Sequence, residues 1–303
     1  MPRIILLLFI LNHTLFSNIL SDTTLIKQHL KAITKTRNFR YFADKNQLNE
    51  VASYIEQVYR EYSDSVYVQK YVVDGRVFKN IICSFGTENS RRIIVGAHYD
   101  VCYQQEGADD NASGVVALLE LARLLKKQKL KYRIDLVAYS TEEPPYFRTE
   151  NMGSYLHAKY LYDNKINVYG MISLEMIGYF SDEKNSQHYP IPFLKLFYGN
   201  KGNFITLVSK FKSGKFVKRF SRKFKSTGMI CTKRFKCPKF IQGLDWSDHL
   251  NYWKFGYSAL MITDTSFYRN PNYHETTDRM ETLDIKRLSK VIDSVLLSLL
   301  ALV

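Results

Sequence analysis

Val95-Gly96-Ala97-His98-Tyr99-Asp100, followed by Gly107-Ala108-Asp109-Asp110-Asn111-Ala112-Ser113-Gly114, decides how the rest of the chain is read. Just upstream, Arg92-Ile93-Ile94-Val95 is a short apolar run of the kind that forms a buried strand. Downstream, residues 115–125 carry a wide apolar face at helical spacing. A histidine and several carboxylates thus stand between a strand end and a helix start, where open α/β sheets hold their ligands.

The same alternation runs along the chain. Spacing predicts helices over 25–34 and 47–62, the second with Leu48, Val51, Ala52, Ile55, Val58, Tyr59 and Tyr62 on one stripe. Residues 66–73 and 77–85 alternate, are β-branched and flank Asp74-Gly75, a hairpin signal. Further strands are expected over 132–139, 169–174 and 257–262, and helices over 152–162, 283–302 and 245–255, the last opened by Asp245. Residues 204–224 show mixed helical spacing. Strands alternating with helices indicate an α/β sheet, and the hairpin makes it mixed.

At 303 residues, with 46% hydrophobic and 24% charged residues, the chain can bury a full globular core. It shows no fixed-period repeat, so 22–303 reads as a single domain. Before it, Met1-Pro2-Arg3 and the apolar run from Ile4 to Leu11 suit a signal peptide or, second, an uncleaved N-terminal anchor over 1–21. Either implies export: periplasmic, secreted or membrane-anchored. The net charge of +14 is concentrated, because 210–239 holds twelve Lys or Arg and no Asp or Glu. That stretch reads as a solvated basic insertion (204–239) or as a patch for an anionic membrane or envelope surface. No nucleic-acid-binding motif accompanies it, so nucleic acid is not expected as a partner. Cys83, Cys102, Cys231 and Cys237 permit disulfides without requiring them, and a 231–237 loop staple and free thiols both stay open. None has C-x-x-C spacing.

Four donor sets lie just past predicted strand ends: His98; Glu142 and Glu143; Glu175; and His274 in the loop after the 257–262 strand. Parallel strands would bring all four to one sheet edge. Each has a plainer reading. Asp110 could cap a helix, His98 could be a core histidine, and Glu142-Glu143 could be a solvated pair. Glu175, between Leu174 and Met176-Ile177, would be costly to bury unless paired or metal-bound. One metal site explains all the positions together, and mixed histidine and carboxylate donors suit zinc.

These stretches, with Ser140-Thr141-Glu142-Glu143, Ser247-Asp248-His249 and Tyr273-His274, resemble the co-catalytic di-zinc exopeptidases, a group that includes aminopeptidases, glutamate carboxypeptidase and the glutaminyl cyclases. The resemblance implies a three-layer α/β/α sandwich around a mixed, mostly parallel sheet, and a peptide substrate cleaved by an aminopeptidase. By resemblance, His98 and Glu175 would bind one zinc, Glu143 and His274 the second, and Asp110 both. Glu142 would be the general base towards the metal-bound water, Asp100 would orient His98, and Tyr273 would stabilise the tetrahedral intermediate. The family most often has Asp where this chain has Glu175, which leaves one zinc as well as two open. Two other readings are a single-zinc glutaminyl cyclase-type acyltransferase and an inactive binding domain. Arg148, the basic residue nearest Glu142-Glu143, would bind a substrate carboxylate or form a loop salt bridge.

Overall fold

The computed structural model describes residues 20–237, 241 and 243–302. The apolar run at 4–11 lies outside them. Among the described residues no helix is long and apolar enough to cross a membrane.

Helices α1 (Thr23–Thr34) and α2 (Lys45–Tyr62) begin where Asp22 and Asp44 accept hydrogen bonds from first-turn N–H groups. Their apolar stripes, including Ile26, Leu30, Val51 and Ile55, are buried. The hairpin follows as β1 (Ser65–Val73) and β2 (Arg76–Phe85), antiparallel across Asp74-Gly75. Then come β3 (Arg92–His98), α3 (Gly114–Leu125), β4 (Arg133–Tyr139), α4 (Gly153–Asp163) and β5 (Val168–Leu174). The chain continues through a short α5 (Leu194–Tyr198), β6 (Ile205–Lys210), α6 (Gly214–Ser226), β7 (Thr232–Cys237), α7 (His249–Lys254), β8 (Ala259–Thr263) and α8 (Ile285–Leu300).

The sheet order is β1-β2-β4-β3-β5-β8-β6-β7. Its centre, β4-β3-β5-β8, is parallel, whereas β2 and β6 join antiparallel. Chain order reverses at β3, which has β4 on one side and β5 on the other, so the carboxyl end of β3 is the topological switch point. One core, with Val95, Leu118, Leu136, Ile172, Phe220 and Val295, packs α1, α2, α3, α6 and α8 on one face. A second, with Val137, Met171, Tyr252 and Trp253, packs α4 and α7 on the other. This is the expected mixed α/β sheet flanked by helices.

The basic stretch is no simple insertion loop, since it contains two strands and a helix of the sheet. In α6, Phe216, Val217, Phe220 and Phe224 are buried while Lys215, Lys218, Arg222, Lys223 and Lys225 face out. Cys231 is a free, exposed thiol. Strand β7 separates it from Cys237 by roughly 20 Å at ~3.3 Å per residue, far beyond disulfide reach. Asp245 does not open α7, which starts after Asp248.

Candidate metal centre

β3 ends on His98, β5 ends one residue before Glu175, and β4 ends three residues before Glu142. The β8 strand leads into the loop that carries His274. All four donor sets therefore meet at the carboxyl edge of the parallel strands. His98 Nε2 lies 3.4 Å from Asp110 Oδ1, 3.4 Å from Glu175 Oε2 and 3.9 Å from Glu142 Oε2. His274 Nε2 lies 3.2 Å from Asp110 Oδ2 and 3.5 Å from Glu143 Oε2. The two oxygens of Asp110 thus face two different imidazoles.

The Asp110 loop is held by neighbours far away in sequence. Asp278 accepts hydrogen bonds from the N–H groups of Asp109 and Asp110. Asn111 donates to the Leu174 carbonyl and accepts from Met176 N and Gly114 N. Asn111, not Asp110, therefore caps the first turn of α3, and Asp110 has an extended backbone. A Cβ at Gly114 would come within 2.7 Å of the Leu174 carbonyl oxygen, so this closeness to β5 requires glycine. Arg40, from the part of the chain with no assigned motif, donates to the carbonyls of Glu106 and Gly107. Its guanidinium is buried, which lowers its pKa to about 10 while the nearby Asp278 and Asp110 raise it.

Asp100 stands beside His98, where an orienting group belongs. Its carboxylate is 3.7 Å from His98 Nδ1, whereas its backbone carbonyl is 3.2 Å away. The carbonyl is the closer acceptor for an Nδ1 proton, which would leave the Nε2 lone pair turned towards the carboxylates. The Asp100 carboxylate also accepts from the N–H groups of Glu142 and Glu143, at 3.3 and 3.1 Å. It positions the glutamate pair. Arg148 is engaged by Asp245 at 2.8 Å, the plain salt bridge.

The electrostatics are those of a crowded anionic pocket. Burial opposes a charged His98, but Glu175 and Glu142 outweigh it and hold the imidazole pKa well above its usual value. Burial also opposes ionisation of Asp110, yet His274 and His98 keep it ionised well below the usual carboxylate range. Burial and Asp110 push Glu143 up to about 7. Burial raises Glu142 well above its ordinary value, with Glu143 and Glu175 adding to it against His98. Asp248 is pushed to about 7 by burial.

This donor set fits divalent metal. Nitrogen and oxygen ligands about 2.0–2.1 Å from a tetrahedral zinc lie roughly 3.3–3.4 Å apart, close to the separations around both imidazoles. Those separations are long for charge-assisted hydrogen bonds. Glu143 Oε1 is buried with no hydrogen-bond partner among the described residues, a cost that coordination would remove. His98, Asp110 and Glu175 would hold one ion; Asp110, Glu143 and His274 would hold the other. Glu175, the expected weak point, reaches the His98 cluster, and Ser247 Oγ donates to its Oε2 at 2.8 Å. Asn111, Asp278, Arg40, Ser247 and Asp248 were given no role from sequence, although Asn111 and Ser247-Asp248 lie inside the motifs.

A cavity of about 390 Å³ opens onto Asp110, Glu142, Glu143, Glu175 and His274. Aromatic side chains contribute much of its lining, among them Phe147, Phe204, Trp246, Phe267 and Tyr268. Tyr273, stacked on His274 with centroids 3.8 Å apart, lines it too.

A mixed sheet with paired histidine–carboxylate clusters at its switch point defines the class of α/β metallohydrolases. A model of Peptidase family M28 matches residues 80–299, and the chain belongs to that family. It is 39% identical over 279 residues to the uncharacterized protein YfbL of Escherichia coli (strain K12), covering 89% of this chain and 85% of that one. Leucine aminopeptidase 1 of Ajellomyces capsulatus is 23% identical over 290 residues, covering 88% and 68%. The solved structure of Bacteroides thetaiotaomicron glutaminyl cyclase superposes with a TM-score of 0.71 at 20% identity, covering 93% and 98%.

Proposed function

We propose that the chain is a zinc-dependent aminopeptidase that removes residues with large apolar side chains from peptide N-termini. The observation that carries this reading is the cavity: its lining combines the carboxylates of the metal centre with many aromatic rings and has no Lys or Arg among the described lining residues. A free α-ammonium group suits the carboxylates and an apolar side chain suits the aromatic rings. A carboxypeptidase would need a cation for the substrate's terminal carboxylate.

Bound zinc supplies Lewis acidity at the scissile carbonyl and acidifies water. Glu142, lining the cavity and fixed through its N–H by Asp100, removes a proton from the attacking water. The water oxygen bonds to the carbonyl carbon, the C–N bond breaks, and Glu142 delivers the proton to the departing amine. Burial holds its pKa above the ordinary carboxylate value, the direction that helps one carboxyl group first take and then return a proton. Burial keeps the Tyr273 phenol protonated, so it can donate to the developing oxyanion.

The second reading is a glutaminyl cyclase-type acyltransferase. It is favoured by the near-complete coverage of a cyclase structure, but two complete donor clusters support hydrolysis better. A panel of peptides with free and blocked N-termini, one starting with Gln, separates the two readings. The aminopeptidase releases free amino acids from unblocked peptides only, and Glu142→Gln loses about 10²–10⁴-fold in rate while retaining zinc. Pyroglutamate as sole product, or equal cleavage of blocked peptides, overturns it.

A further inference from the structure

We propose that Cys102 is a ligand of the second metal ion, giving that ion a thiolate beside Glu143, His274 and the shared Asp110. This rests on the two-metal reading above. Sulfur of Cys102, a carboxylate oxygen of Glu143 and a ring nitrogen of His274 all lie within 4.8 Å of one another. The thiol is free and only 2% exposed. A metal is called for at the same place by Glu143, 4% exposed, which has one buried oxygen with no hydrogen-bond partner among the described residues.

The backbone explains how the thiol gets there. Beyond β3 the chain stays non-helical, held by the Tyr99 N–H to the Tyr139 carbonyl and the Val101 N–H to the Arg40 carbonyl. Cys102 stands at a bend four residues past His98, so one short segment supplies a donor to each cluster.

The consequence is chemical. A thiolate favours zinc or cobalt over hard ions such as magnesium, which prefer oxygen. With Cys102 the second cluster has three side chains of its own besides Asp110. The second ion is then the more firmly held of the two, although its cluster is the more exposed. Binding deprotonates the thiol and releases that proton to solvent.

The test loads the full chain with cobalt(II), in a Cys231→Ser, Cys237→Ser background that leaves only Cys83 and Cys102. A thiolate-to-cobalt charge-transfer band is expected in the near ultraviolet. It should vanish in Cys102→Ser and survive in Cys83→Ser, while the visible cobalt bands persist in all three and show that the clusters still bind metal. Chelator competition should show the second zinc weakened at least about 10-fold in Cys102→Ser. Two bound cobalt ions without the ultraviolet band overturn the Cys102 assignment alone. No bound cobalt overturns it together with the two-metal reading. Zinc-edge X-ray absorption on the zinc-loaded chain gives a check free of any change at Cys102. A sulfur shell near about 2.3 Å is expected, and a shell of nitrogen and oxygen alone overturns the assignment.

Discussion

His98, on the catalytic edge of the sheet, and His157 and His249, among the helices on one face, are 1, 5 and 0% exposed, yet their surroundings drive them in opposite directions. His157 Nδ1 lies 2.6 Å from the hydroxyl of Tyr252, which in turn meets Tyr139. His249 Nε2 lies 2.8 Å from the Leu244 carbonyl. Burial depresses each of these two to a pKa of about 4. At His98 the same burial is overcome by Glu175 and Glu142, and at His274 by Asp110 and Glu143, so both imidazoles are held well above their usual value. Burial alone makes an imidazole neutral. Surrounding it with carboxylates makes a place that demands a cation, whether a proton or a metal.

The sharpest way to break this contrast is to delete the rings. His98→Ala and His274→Ala should each lower zinc per chain, and each should cut turnover by more than about 100-fold, since even supporting partners of metal ligands cost 10–100-fold. His157→Gln should leave zinc unchanged. Full zinc in both ligand variants by elemental analysis, or zinc loss in His157→Gln, would erase the distinction.

A smaller effect comes from the neutral pair. A histidine of folded pKa about 4 and unfolded pKa 6.5 binds more protons when unfolded. Its neutral burial therefore costs nothing above pH ~6.5, and stability falls as pH drops from there towards 4. The loss is on the order of 3 kcal/mol per residue across that window. His157→Gln keeps a polar side chain facing Tyr252 without the titration. Its urea midpoint should fall less than the wild-type midpoint between pH 7 and pH 4.5, and parallel losses would show that His157 is not held neutral.

The contrast also marks what could be read without coordinates. Strand ends were legible because buried parallel strands are short apolar runs, and His98, Glu142, Glu143 and Glu175 each sit within a few residues of one, whereas Asp110 and His274 lie in longer loops. Strand β6 was hidden because helix α6 begins four residues after it, and a single window averages the two patterns. Strand β7, Thr-Lys-Arg-Phe-Lys-Cys, read as a charge run because it is an edge strand, where lysine protects unpaired backbone. The supporting groups were harder. Arg40, Asp278 and Cys102 act through partners distant in sequence and carry no local spacing. Asp100 was legible beside His98, but its bonds to the Glu142 and Glu143 N–H groups depend on the fold and carry no sequence signal.

The smallest and finest test falls on Glu175, where the family most often has aspartate. The additional methylene carries the carboxylate to where Oε2 lies 3.4 Å from His98 Nε2 while accepting from Ser247 Oγ, itself 2.7 Å from Ser173 Oγ. Met176, next in sequence, has φ +47°, so the backbone here is fixed in a left-handed turn and cannot simply advance to compensate for a shorter arm. Glu175→Asp should therefore lose either the serine or the metal geometry. The zinc held with His98 should weaken about 10-fold, near 1.4 kcal/mol, while the zinc beside Glu143 and His274 stays. Chelator titration should then show two clearly separated release steps in place of the closer pair of the parent chain. Unchanged release would mean that Ser247 does not set the position of this carboxylate and that the first cluster tolerates either arm, whereas loss of both ions would show that the clusters are coupled through Asp110 more tightly than their separate imidazoles imply.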